Sequence, residues 1–364
     1  MTWDIIVGFR HDQDMPGAGK APFEVLPALK KKSGFFGRLF GGKNQHWLNS
    51  RLSLFYLGAL CGFFFVSSVF HPPGSVAQTP DWCKELPRAE YKSLEQIHVS
   101  DPWFEVYRVA PNTFAIYEPH QSEETIAYLI LGKQQAILFD TGMGISDLRS
   151  VVNQITRLPI IVLNSHTHDD HVGGNWQFQT IYSMNTDFSR ENAKGSVEDA
   201  RAEVAPGEIC GDLPKGFDPA TYRTRPWKIS KYIGDGEKIN LGGRVIQVIA
   251  TPGHTPDAIS LLDRVNGLLF TGDTYYPASI WLYRPETSFE QYAASIQELA
   301  ILVQSEPIKL VLGAHNIPVA PPSVLPELVK AFADLRAGKA ACRPDKPGRQ
   351  VCTVGQFRFL VAAH

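Results

Sequence analysis

The sequence has little net charge and no concentration of basic residues over most of its length: Lys+Arg 35 stand against Asp+Glu 37 in 364 residues, a formal net charge of −2. A nucleic-acid surface needs a concentrated basic field, so no nucleic-acid partner is expected. No G-x-S-x-G occurs, which removes support for a serine hydrolase of the nucleophile-elbow type. Internal repeats and low-complexity segments are also missing. With 44% apolar and 20% charged residues the composition is that of a globular chain, neither disordered nor fibrous.

Acidic residues are missing altogether between Glu24 and Asp81. Residues 1–77 carry eight Lys/Arg against four acids, and inside this interval Leu52 to Phe70 runs nineteen residues without a charge. A run of about 20 apolar residues can span a bilayer, and the basic flank Lys30–Arg51 would hold the N-terminus in the cytoplasm. The other reading is a secretory signal, because His71-Pro72-Pro73-Gly74 breaks the run and Ser75-Val76-Ala77 offers a small-x-small cleavage site before Gln78. Three regions result: a basic extension 1–51, with a true start expected near Leu48; a signal peptide or transmembrane anchor 52–77; and a catalytic domain 78–364. Both readings put the domain outside the cytoplasm, periplasmic, secreted or membrane-anchored, with membrane contact only through residues 52–70 if they are not removed.

Cysteine is scarce, 5 in all. Cys61 lies in the apolar run, preceded by Leu60 where a lipoprotein acceptor needs a small residue. Cys83, Cys210, Cys342 and Cys352 allow three pairings; Cys83–Cys210 with Cys342–Cys352 is the expectation, although connectivity cannot be derived from sequence.

The domain reads as short strands alternating with turns and a few helices. Strands are expected at Thr113–Tyr117, Ile126–Leu131, Gln135–Asp140, Ile160–Leu163, Val245–Ala250, Ile259–Leu262, Leu268–Thr271 and Lys309–Leu312. Asp235-Gly236 and Gly242-Gly243 are hairpin-type punctuation. Helices are expected at Ile145–Thr156, at Thr287–Gln304, where Thr287 and Glu290 have capping-box spacing, and at Pro322–Ala337. Glu191–Arg225, rich in Pro and Gly, reads as a long loop or insertion.

Five of the 11 histidines stand directly past strand-like runs. Asn164-Ser165-His166-Thr167-His168-Asp169-Asp170-His171 follows Ile160–Leu163. Imidazole nitrogen and carboxylate oxygen are ligands that zinc and related metals accept, and a strand-end loop can aim several of them at one point. His254 follows Val245–Ala250, Asp273 follows Leu268–Phe270, and His315 follows Leu310–Leu312. The shared placement argues for one site.

This series, H-x-H-x-D-H followed by His254, Asp273 and His315, together with the earlier Phe139-Asp140-Thr141-Gly142, resembles the metallo-β-lactamase superfamily of binuclear hydrolases over roughly residues 105–320. The resemblance implies an α+β four-layer αββα sandwich of two mixed sheets with helices outside. It implies two divalent metal ions, zinc before others: His166, His168 and His254 for the first, Asp170, His171 and His315 for the second, and Asp273 bridging. It also implies that Asp140 supports the ligand loop without binding metal; the competing reading is a turn-forming Asp before Gly. The expected activity is attack of a metal-bridging hydroxide on a carbonyl of a small-molecule ester, thioester or lactone, with Asp170 taking the proton.

True β-lactamases carry Cys or Ser where Asp273 stands, and flavodiiron proteins carry Glu where His168 stands. The set with Asp273 is similar to glyoxalase II, acyl-homoserine lactonases, thioesterase-like members, ribonuclease Z and one-iron sulfur dioxygenases. Gly234-Asp235-Gly236 and Ile239–Gly243 favour the thioesterase and glyoxalase-like branch, and export counts against RNA processing and a cytosolic thiol cofactor. Tyr276 has the offset from Asp273 at which lactonases carry a carbonyl-facing Tyr; it is either an oxyanion donor or a core aromatic. The loop Pro277–Pro285, with Trp281 and Tyr283, either walls an acyl pocket or fills an interface. The alternatives are a mononuclear iron persulfide dioxygenase, a β-lactamase-type amide hydrolase and a non-enzymatic binding protein.

Overall fold

The computed structural model describes residues 79–363, Val197 excepted. The basic extension, the apolar run 52–70 and the cleavage site at Ala77 lie outside the described residues. Among the described residues no helix is long and apolar enough to cross a membrane.

The first half of the domain lays down an eight-stranded sheet in chain order: β1 (Glu95–Ile97), β2 (Glu105–Ala110), β3 (Thr113–Tyr117), β4 (Ile126–Leu131), β5 (Ala136–Phe139), β6 (Ile160–Leu163), β7 (Ile181–Met184) and β8 (Lys231–Ile233). β1 to β5 pair antiparallel and β5 to β8 parallel. The second half supplies β9 (Lys238–Asn240), β10 (Val245–Ala250), β11 (Ile259–Asp263), β12 (Leu268–Gly272), β13 (Ser279–Leu282), β14 (Leu310–Gly313), β15 (Ala341–Pro344), β16 (Arg349–Val354) and β17 (Phe357–Ala362). Of these, β14-β12-β11-β10-β9 form a second mixed sheet, in which β14 and β12 run parallel. The helices are α1 (Leu148–Ile155), α2 (Asp169–Val172), α3 (Asp187–Asn192), α4 (Glu198–Ala202), α5 (Phe289–Ser305) and α6 (Val324–Arg336).

Period-two alternation explains the layers. In β5, Ile137 and Phe139 face the second sheet while Ala136 and Leu138 face the α1 side. In the second sheet Leu268, Phe270 and Leu261 meet them, and Leu269 and Leu262 turn outward to α5 and α6. Tyr128 and Phe270 meet edge-on at 5.2 Å between the sheets. The result is the helix–sheet–sheet–helix sandwich the resemblance implies. A buried ion pair ties its layers: Arg244 donates to Asp263 Oδ2 at 2.7 Å and to the carbonyls of Asn112 and Leu131 at 2.9 and 3.1 Å.

Several expectations need correction. The expected strands past residue 264 end with Lys309–Leu312, yet β13, β15, β16 and β17 make a third, four-stranded sheet, whose Phe359 packs on Phe332 of α6. Of these, β15 is exposed along its length and offers no apolar alternation to be read. Asp235-Gly236 makes no hairpin; it links β8 to β9, which lie in different sheets, whereas Gly242-Gly243 does turn β9 into β10. The cap of α5 is Ser288, which accepts from Gln291 N, and Thr287 Oγ1 instead donates to His254 O. Glu191–Arg225 is not a free loop: it holds the end of α3 and all of α4, and Tyr222 and Thr224 donate to Met143 O and Asp169 Oδ1. The disulfides are Cys83–Cys210 and Cys342–Cys352, as expected.

Candidate metal centre

The strand ends β6, β10, β12 and β14 open on one edge of the sandwich, and each carries functional side chains there. After β6 the chain bends into the single turn α2, with His168 at its N-cap. Asp140, at the end of β5 with φ of 69°, accepts from Ser165 N at 2.6 Å and from His171 Nδ1 at 3.0 Å, so it fixes both the backbone and one imidazole of this loop. That is the supporting position expected for it. Two glycines permit the approach of the other loops. Gly253, with φ of 140°, sits where a Cβ would fall 2.3 Å from the backbone of Tyr292, and a Cβ on Gly272 would fall 2.4 Å from Ser165 Cβ.

His166 Nε2, His168 Nδ1 and His254 Nε2 converge at 2.9 to 3.2 Å from one another. Tetrahedral ligands held 2.0–2.1 Å from zinc stand about 3.3 Å apart, so the spacing is close to that of a nitrogen triad around one ion. Beside it, His171 Nε2 lies 3.0 Å from Asp170 Oδ2 and 3.3 Å from Asp273 Oδ1, and His315 Nε2 lies 3.0 Å from Asp273 Oδ1 and 3.5 Å from Asp170 Oδ2. Asp273 stands between the two groups, its Oδ2 being 3.6 Å from His254 Nε2. All seven residues expected as ligands are therefore brought together. His171 Nε2 and Asp273 Oδ1 are buried and, despite polar neighbours at 3.0 Å, make no hydrogen bond, a want that a cation between them would satisfy.

The outer nitrogen of every imidazole is engaged. His168 Nε2 meets Glu286 Oε1 at 2.7 Å, His254 Nδ1 meets Trp281 O at 2.8 Å, His315 Nδ1 meets Glu123 O at 2.6 Å and His166 Nδ1 meets Ser165 Oγ at 3.0 Å. With Asp140 on His171, these partners decide which nitrogen faces the centre.

The electrostatics ask for positive charge at the centre. Burial pushes the Asp170 and Asp273 carboxyls up, but the imidazoles of His171 and His315 outweigh it and hold both below the ordinary carboxylate range. Burial pulls His171 down, yet Asp170, Asp273 and Asp140 lift it above the usual value. His254 is lowered by burial to about 4, and burial together with the neighbouring imidazoles lowers His166. His166 and His254 are thus held toward neutral nitrogen, the state in which imidazole binds metal.

A cavity of about 340 Å³ opens over the centre, lined by His168, Asp170, His254, Asp273, Phe188 and Trp281 among others. Tyr276 is buried beside it with its ring 4.7 Å from that of His315. Its hydroxyl donates to Ser279 O at 2.8 Å and accepts from Trp281 N at 3.2 Å, so its single proton is committed to the backbone and the oxyanion role would require that bond to break. Trp281 from the Pro277–Pro285 loop does wall the cavity.

Sequence reasoning missed Glu286, Glu123 and Glu203. Glu123 and Glu203 line the cavity as a hydrogen-bonded pair, burial raising Glu123 well above the usual range and Glu203 to about 7. Glu123 could have been found, since it precedes a strand-like run as the ligands follow theirs. Glu286 and Glu203 lie where no local pattern marks them.

Residues 125–315 match the family model described as Metallo-beta-lactamase superfamily. The acyl-coenzyme A thioesterase MBLAC2 of Homo sapiens is 26% identical over 200 residues, covering 52% of this chain and 71% of that protein. A hydroxyacylglutathione hydrolase of Yersinia enterocolitica is 27% identical over 199 residues, covering 54% of this chain and 64% of that one. Among solved structures, the MIM-2 metallo-β-lactamase is 22% identical, covering 72% of this chain and 98% of that chain, with a TM-score of 0.45.

Proposed function

The chain belongs to the metallo-β-lactamase superfamily, and from that premise we propose that it is a binuclear metal-dependent hydrolase of carboxylic esters, thioesters or lactones. The observation that carries this reading is the pair of adjoining clusters, His166/His168/His254 and Asp170/His171/His315, with Asp273 between them. The names of the thioesterase and hydroxyacylglutathione hydrolase relatives support the ester or thioester class.

Two divalent ions bound there would supply an activated hydroxide near neutral pH and an electrophile for the carbonyl oxygen. The rest is done by the chain. Glu286, Asp140, Trp281 O and Glu123 O hold the imidazoles in register, so that no reorganisation is needed on binding. Asp170 is the more open of the two central carboxylates, lines the cavity and stays anionic through neutral pH, as a proton acceptor at Oδ2 must. Phe188 and Trp281 shield the cavity from water on its apolar side.

A one-iron dioxygenase would leave Asp170, His171 and His315 without a task, although His171 Nε2 and His315 Nε2 both converge on Asp170 Oδ2, at 3.0 and 3.5 Å. Elemental mass spectrometry on protein purified without added metal decides between them. About two zinc or manganese per chain, falling in Asp273→Ala and in His315→Ala together with hydrolysis of an ester, thioester and lactone panel, is the expected result. A single iron unaffected by His315→Ala would overturn it.

We also place the domain outside the cytoplasm. The charge-free run before it and the two disulfides support this, since structural disulfides persist in oxidising compartments.

A further inference from the structure

The loop that carries His315 is laced to the residues entering β4. His315 Nδ1 donates to Glu123 O at 2.6 Å, Asn316 N to Glu124 O at 3.0 Å, and Ile126 N to Ala314 O at 2.7 Å. Two residues of this lacing have left-handed backbones, Glu124 with φ of 47° and Asn316 with φ of 61°. Asparagine tolerates that region, whereas a glutamate stays in it only where its surroundings over-determine it.

Those surroundings are the partners of the Glu124 side chain. The carboxylate is buried and accepts four hydrogen bonds: Oε1 from Arg88 Nη2 and from Asn316 Nδ2 at 2.7 Å, Oε2 from Arg88 Nε at 2.6 Å and from the Tyr117 hydroxyl. The guanidinium meets it through two nitrogens, a geometry that fixes the orientation of a carboxylate as well as its place. Glu124 therefore grips the residue after His315 twice, by its carbonyl on Asn316 N and by its side chain on Asn316 Nδ2.

Arg88 reaches this point from outside the two main sheets. It stands before β1, between the 3-10 turns Asp81–Glu85 and Ala89–Ser93. That segment has attachments of its own: Cys83 is bonded to Cys210, Trp82 Nε1 donates to Gly207 O at 3.1 Å, and Tyr91 stacks on Tyr117 at 4.5 Å. Arg88, Glu124 and Asn316 all lie outside the superfamily stretch 125–315, and the hydrolytic mechanism uses none of them.

We propose that Arg88 is a positioning residue for the second metal site. Through Glu124 and Asn316 it holds His315 Nε2 against Asp273 Oδ1 and Asp170 Oδ2, at 3.0 and 3.5 Å. The segment before β1 thereby sets the affinity of the ion held by Asp170, His171 and His315, and leaves the ion of His166, His168 and His254 unaffected. This inference rests on the two-ion part of the reading above and not on the ester or thioester class.

The test titrates the full-length, zinc-loaded chain with a chromogenic chelator and resolves two dissociation constants, His315→Ala marking which belongs to the second ion. Arg88→Ala weakens that same ion by about 10–100-fold. Arg88→Lys, which offers a point charge in place of the fork, falls between it and wild type. Loss of Arg88 strands a buried carboxylate and can unfold the chain, so Asn316→Gly serves as the second variant. Glycine suits the φ of 61° and keeps the loop, but the bond to Glu124 Oε1 is gone; the second ion is weakened by roughly tenfold. In the His315→Ala background neither substitution changes the remaining ion, because the group through which both act is missing. A merely structural role would weaken both ions and would persist in that background. Equal weakening of both ions, weakening that survives His315→Ala, or unchanged constants in Asn316→Gly overturns the proposal while leaving the two-ion hydrolase in place. Selective weakening without turnover of an ester and thioester panel keeps the proposal and removes the hydrolase reading. A single zinc in the wild-type chain removes both.

Discussion

Each imidazole at the centre depends on what its outer nitrogen touches, and Glu286 isolates the effect because it meets His168 by side chain alone, from a distant loop. Removing such a partner costs about 10–100-fold in metal affinity. If two ions bind as proposed, Glu286→Ala is expected to weaken one of them by that factor in chelator competition, with Glu286→Gln closer to wild type because its carbonyl still accepts; equal loss of both ions would refute the assignment. Glu118 gives a pH signature. Its carboxylate accepts from Trp103 Nε1 at 2.7 Å and Met143 N at 3.0 Å, but burial outweighs both and raises its pKa from 4.5 to about 7. The folded state then holds this proton more tightly than the unfolded chain. Stability contributed by the group is present below the unfolded value, is lost as pH rises from about 4.5 to about 7, and is flat above. In Glu118→Gln that part of the slope disappears from urea midpoints measured across the range; a slope identical to wild type would show that Glu118 is ionised throughout. Neither Glu286 nor Glu118 stood out in the sequence, since each acts through residues far along the chain.

At the scale of elements, the strands expected from β-branched and apolar runs are present within a residue, because both faces of the central strands are buried and demand continuous apolar sequence. The ends are where local reading failed. Thr287-x-x-Glu290 has capping-box spacing, yet Thr287 Oγ1 is taken by His254 O at 3.2 Å, and the helix starts one residue later on Ser288. Tertiary contact thus overrode a local motif. Ser288→Ala should cost about 1 kcal/mol in denaturant unfolding, while Glu290→Ala stays within about 0.5 kcal/mol. The opposite ranking would restore Thr287 as the cap. The third sheet escaped notice for a related reason: β15 is exposed along its length and has no alternation to detect.

At the scale of the molecule, Cys83–Cys210 joins residues 127 apart and Cys342–Cys352 residues 10 apart, so the first constrains far more of the unfolded chain. Placement outside the cytoplasm predicts that protein taken from its native cells, denatured without reductant and alkylated, shows these four cysteines unmodified. Alkylation of all four would put the domain in a reducing compartment.

The sequence by itself determined which histidines and aspartates come together, their order and the strands that carry them, because residues gathered at strand ends leave short, dense motifs of histidine and aspartate next to apolar runs. Only the tertiary structure decided what surrounds them. The carboxylate on His168 and the Glu123–Glu203 pair each join segments far apart in the chain, and such contacts leave no periodicity in it; the Tyr276 proton goes to Ser279 O in the same loop, which only the course of that loop decides.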